Sequence, residues 1–84
     1  MTEEQDIVVY GTRWCPDCRR ARRVLKKQDI LYTYIDINQD AQACAYVEQV
    51  NNGNRSVPTI KFPDGDILVE PSNRALNAKL DTLK

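Results

Sequence analysis

Chemistry in this 84-residue chain is best placed at Trp14-Cys15-Pro16-Asp17-Cys18, where two cysteines are separated by two residues. A thiolate attacks disulfides, and a second thiol within reach displaces whatever the first has captured. The apolar run Ile7 to Tyr10 leads into the stretch through Gly11, and a helix-patterned segment leads out from Pro16. The pair therefore sits at a strand-to-helix junction. The first turn of a helix carries unpaired N–H groups and the positive end of the macrodipole, and both favour a thiolate. Pro16 suits the first helical position, where its missing N–H costs nothing. The two-residue spacing brings Cys18 back across that turn, within disulfide range of Cys15.

Three cysteines are an odd number, and two of them form one close pair, which points to chemistry rather than a disulfide scaffold. The absence of histidine removes Cys-His proteolysis and most histidine-dependent metal sites. No metal site is expected, because one cysteine pair supplies half of the usual zinc ligands. Formal net charge is zero, but seven of the twelve basic residues fall around or after the cysteines: Arg13, Arg19, Arg20, Arg22, Arg23, Lys26 and Lys27. They read as a solvated helix face, or as a positive field that stabilises a thiolate and attracts anionic partners. A neutral total without aromatic interleaving argues against nucleic acid.

The length leaves room for one small domain, 1–84. With 42% apolar residues the composition is that of a globular chain, and no apolar run is long enough to cross a membrane. The acidic start, Met1 to Asp6, lacks the pattern of a secretory signal, so a cytoplasmic location is expected. Nothing in the patterning suggests a dimer, and a monomer is the default.

Ile7 to Tyr10 reads as a central strand covered on both faces. From Pro16 to about Gln28, Cys18, Ala21, Val24 and Leu25 recur at helical spacing, placing Cys18 on the inward stripe and Cys15 at the exposed tip. Leu31 to Ile37 alternates as a strand. Asn38 is the expected cap of a second helix reaching about Asn51, with Ala43, Tyr46, Val47 and Val50 inward and Asn52-Gly53 as its stop. Cys44 lies beside that stripe and reads first as a small packing residue. Val57 to Phe62 and Ile67 to Val69 form a hairpin about Pro63-Asp64-Gly65-Asp66. Ser72 caps a last helix burying Leu76, Leu80 and Leu83. The order βαβαββα, with right-handed crossovers, gives an α/β fold: a four-stranded mixed sheet flanked by three helices.

With Cys15-Pro16-Asp17-Cys18 after the first strand and Ser56-Val57-Pro58 before the third, the sequence resembles the thioredoxin superfamily, and within it the glutaredoxin branch. The run Val50 to Phe62, then Asp64-Gly65 and Pro71-Ser72, looks most like the mycoredoxins. The resemblance implies a thioredoxin-like fold and a cis bond before Pro58, facing Cys15. Val57 would then offer backbone groups to an extended thiol substrate. Three positions depart from typical glutaredoxins. Thr12 replaces a lysine, Leu68-Val69 a glycine pair, and Asp17 an aromatic residue. The first two remove features that hold the carboxylates of glutathione, while Arg13, Arg55 and the last helix, capped by Ser72, could compensate.

The resemblance implies an enzyme, a thiol–disulfide oxidoreductase acting on mixed disulfides between proteins and a low-molecular-weight thiol. Mycothiol is favoured over glutathione as that co-substrate, and no other cofactor is expected. Cys15 is the expected nucleophile and Cys18 the second thiol. Arg13 and the helix start support the thiolate, and the carboxylate of Asp17 opposes it. Trp14 is either a flat wall for docking a partner or a core residue of the loop. Two rivals remain. One is a thioredoxin-like dithiol donor for protein disulfides such as that of a ribonucleotide reductase, recharged by a flavoprotein reductase. The other is a dimer holding an iron–sulfur cluster between Cys15 residues and small thiols.

Overall fold

A computed structural model describes residues 7–83. The acidic segment 1–6, on which the expected location depends, lies outside the described residues. The elements follow in the order β1 (Ile7–Gly11), α1 (Pro16–Lys27), β2 (Tyr32–Asp36), α2 (Ala41–Val50), β3 (Thr59–Lys61), β4 (Ile67–Val69) and α3 (Asn73–Thr82). The sheet runs β2-β1-β3-β4. β1 is parallel to β2 and antiparallel to β3, and β3 is antiparallel to β4.

The alternation of side chains along β1 divides the core. Ile7 and Val9 join Ala21 and Leu25 of α1, Ile60, Phe62, and Leu76 and Leu80 of α3. On the opposite face Tyr10 packs with Ile35, Ile37 and, from α2, Ala43 and Val47. Two helices thus cover one face and one covers the other, and β1 is buried between them. Leu25 and Leu80 are fully enclosed; truncating either to alanine would cost about 2–5 kcal/mol. At the hairpin turn Gly65 has φ of +94° and Lys79 of α3 pairs with Asp64 and, at 2.7 Å, Asp66.

Several expected boundaries shift. α2 is capped by Asp40, whose carboxylate accepts from Ala43 N–H at 3.0 Å. Asn38 instead gives its own N–H to Asp36 Oδ1 at 2.8 Å, within the preceding turn. Both residue types cap helices, so only the path of the turn distinguishes them. Leu31 falls before β2 and is 84% exposed, whereas Val24 of α1 and the neighbouring Ile30 pack against the core. Tyr46 and Val50 are half-buried and Leu83, the C-cap of α3, is exposed. The expected stop at Asn52-Gly53 is present: both have positive φ, and Gly53 N–H returns to Glu48 O at 2.7 Å.

Candidate active site

β1 ends at Gly11, and a four-residue loop carries the chain into α1. Cys15 is the N-cap of α1, with extended backbone angles, and its Sγ accepts the backbone N–H of Cys18 at 3.0 Å. An N–H aimed at sulfur from the first turn of a helix is the arrangement that holds negative charge there. Pro16 occupies the first helical position. One turn on, Cys18 is 1% exposed while Cys15 is half-buried. Both are free thiols.

The two sulfurs lie in unlike settings. Burial, and next Cys15, push the Cys18 thiol up to about 12, against the opposing pull of the Thr12 backbone and Tyr34. Cys18 is thus a protonated, shielded thiol, and Cys15 is the more accessible of the two sulfurs. Asp17 is ion-paired with Arg20 at 3.2 Å. Its carboxylate is therefore partly neutralised, which weakens the opposition expected from it. Arg20 also reaches Pro71 O at 3.5 Å, linking α1 to the start of α3.

Trp14 is 78% exposed, with the Arg13 guanidinium 5.4 Å from its ring centre. The reading of Trp14 as a core residue is thereby corrected: its side chain lies in solvent, and among the described residues neither core cluster includes it. The Val57–Pro58 peptide bond is cis, and Pro58 is fully buried. Thr59 pairs with Tyr10 at the end of β1, so the bond lies at the end of the sheet from which the Cys15 loop departs. Ser72 caps α3, accepting from Ala75 N–H at 3.1 Å. Arg55 belongs elsewhere, bound to Glu48 at 2.7 Å beside Cys44 in an open depression of about 530 Å³ on the α2 side.

Tyr34 is the neighbour that sequence reading passed over. Its hydroxyl donates to Thr12 O at 2.6 Å, and the hydroxyl and Cys18 Sγ both crowd the place where a β-carbon on Gly11 would stand. The only sequence signal was its place in the β2 alternation, since nothing local indicates which residue of α1 a strand side chain will meet.

This fold occurs in solved proteins. The crystal structure of the thioredoxin-like protein BC3987 matches with a TM-score of 0.74 at 26% identity, over 94% of this chain and 100% of that one. The glutaredoxin from Archaeoglobus fulgidus matches with a TM-score of 0.72 at 22% identity, over 90% and 86%. The fold is thioredoxin-like, and its class is that of the thiol–disulfide oxidoreductases. The sequence pattern of the glutaredoxin family matches residues 7–67, and the chain belongs to that family. A protein of Mycobacterium tuberculosis bearing a glutaredoxin name is 42% identical over 74 residues, 88% of each chain. Mycoredoxin 1 of Corynebacterium glutamicum is 38% identical over 78 residues, 93% of this chain and 96% of that one. Members of the family use a low-molecular-weight thiol as co-substrate.

Proposed function

We propose that this enzyme reduces mixed disulfides between proteins and a low-molecular-weight thiol, with mycothiol preferred to glutathione. The observation that carries the reading is the contrast between a half-buried Cys15, capping α1 and hydrogen-bonded to Cys18 N–H at 3.0 Å, and a buried, protonated Cys18. Cys15 as thiolate attacks the small thiol's sulfur and releases the reduced protein, leaving Cys15 joined to the small thiol. A second small thiol, or Cys18, then frees Cys15. Pro16, Arg13 and Asp17 tune the nucleophile. Trp14 offers partner proteins an exposed aromatic face, and Val57, next to the cis bond, offers backbone groups to an extended substrate. Pro58 fixes that segment, and Ser72 orders the start of α3. Arg55 contributes to thiol binding only by exchanging Glu48 for the substrate.

The preference for mycothiol is supported by Thr12 and by Leu68-Val69, which leave out glutathione-holding features, and by the likeness to Mycoredoxin 1. We place the enzyme in the cytoplasm as a monomer without a bound metal. One coupled assay tests the reading: turnover of mycothiol and glutathione mixed disulfides by the parent, Cys15→Ser and Cys18→Ser proteins. Cys15→Ser should lose all turnover, and Cys18→Ser should retain it with the mycothiol substrate. Loss in Cys18→Ser, with disulfide reduction by the parent sustained by a flavoprotein reductase, would instead make the protein a dithiol donor of the thioredoxin kind.

A further inference from the structure

Tyr34 and Cys18 meet over a residue that has no side chain. A β-carbon placed on Gly11 would lie 2.8 Å from Cys18 Sγ and would also collide with the Tyr34 hydroxyl. Only glycine leaves room for both groups at the end of β1. The phenol is held at its hydroxyl, which donates to Thr12 O at 2.6 Å, and over its ring, where the Arg22 guanidinium sits 4.2 Å from the centre. Arg22 is in turn held by Tyr32, whose hydroxyl accepts from its Nε at 3.3 Å.

We propose that Tyr34 is a catalytic residue for Cys18, its hydroxyl accepting the S–H hydrogen bond at rest and turning from Thr12 O to donate to the sulfur as it becomes a thiolate. This rests on the exchange reaction proposed at Cys15 and concerns its resolving step. In that step the Cys18 sulfur attacks Cys15 of the mixed disulfide. The Cys15–Cys18 bond forms, the bond from Cys15 to the small thiol breaks, and the proton of Cys18 passes to the departing sulfur. One thiol and one disulfide are consumed, and one of each is produced. Tyr34 gains and loses no proton overall. Its hydroxyl is held above its ordinary value chiefly by burial and then by Cys18, so it remains a donor. A buried thiolate with too few donors is costly. The groups that face this one are the Thr12 backbone, Cys15 and Tyr34, with Arg22 over the face of the Tyr34 ring and within electrostatic reach of Cys18.

Resolution by Cys18 follows attack by Cys15, so the two steps must be timed separately. The aromatic disulfide 5,5′-dithiobis(2-nitrobenzoate) does this, because attack by Cys15 releases one coloured thiolate and resolution by Cys18 releases the second. In a Cys44→Ser background, Tyr34→Phe should leave the first phase unchanged, slow the second by roughly tenfold or more, and move its pH profile upward. Tyr46→Phe, which removes a hydroxyl from α2 beside Tyr10, on the opposite face of the sheet, should leave both phases as in the parent. A second phase in Tyr34→Phe with the parent's rate and pH profile overturns the proposal. Failure of the underlying exchange reading looks different, since the first phase would then persist in Cys15→Ser whatever residue stands at Tyr34. Should Tyr34→Phe not fold, the infrared S–H band of Cys18 in the Cys15→Ser, Cys44→Ser protein decides. A band lowered by hydrogen bonding is expected, and the position of a free thiol overturns the proposal.

Discussion

α1 and α2 begin in the same way with different atoms. Asp40 Oδ1 accepts the N–H three residues on at 3.0 Å, and Cys15 Sγ accepts the N–H three residues on, also at 3.0 Å. At α3 a hydroxyl, that of Ser72, does the same at 3.1 Å. The position asks for an acceptor with negative charge or a lone pair, and at α1 the chain supplies a sulfur. The helix start therefore aims a donor at the Cys15 sulfur, and that sulfur in return caps the helix. The two starts also differ beneath the cap. Below α1 lie Cys18 and Tyr34, crowded over Gly11, whereas below α2 the apolar side chain of Ala43 packs with Ile37 and Val47.

The largest expected effect separates capping from chemistry. Cys15→Ser retains a good capping oxygen, so thiol-transfer turnover should vanish while the denaturation midpoint stays near the parent's. Equal loss of stability and activity would mean that Cys15 is needed for folding rather than for exchange. Next comes the crowded layer. Gly11→Ala should destabilise by about 1–3 kcal/mol in urea unfolding, because its methyl must displace Tyr34 or Cys18. Third, Asp40→Ala and Cys15→Ala should each cost about 1 kcal/mol in the same unfolding experiment. Asp40→Ala should keep full turnover, which would separate the two caps.

Much of this was legible beforehand, for identifiable reasons. Pro16 and the helical spacing of Cys18, Ala21 and Leu25 set the start and inward face of α1, and Asp64-Gly65 set the hairpin turn. These are local signals. The cap of α2 was misplaced because Asn38 and Asp40 are chemically equivalent candidates two residues apart. Trp14 was ambiguous because an aromatic residue in a loop has no periodicity to orient it. Tyr34 was missed because its contact joins β2 to α1 across β1, a distance in sequence that no local pattern spans.

A further effect appears only at high pH. Because Cys18 is raised from 9.0 to about 12, the native protein keeps a proton that the unfolded chain gives up first. The stability it contributes is whole below 9.0 and is lost as pH climbs toward about 12. Tyr34 and Tyr10, both raised from 10.0 chiefly by burial, add losses of the same sign at higher pH. The melting temperature of reduced protein should therefore fall above pH 9.0, and fall less steeply in Cys18→Ala. Parallel curves would remove Cys18 from this account.

The most direct measurement is the identity of the trapped intermediate. Cys18→Ser protein, mixed with a protein–mycothiol disulfide and quenched with acid, should gain the mass of one mycothiol, mapped by peptide mass spectrometry to Cys15. An adduct carried by Cys44, or none at all while the disulfide is still reduced, would contradict the assignment of Cys15 as the sulfur that meets the substrate.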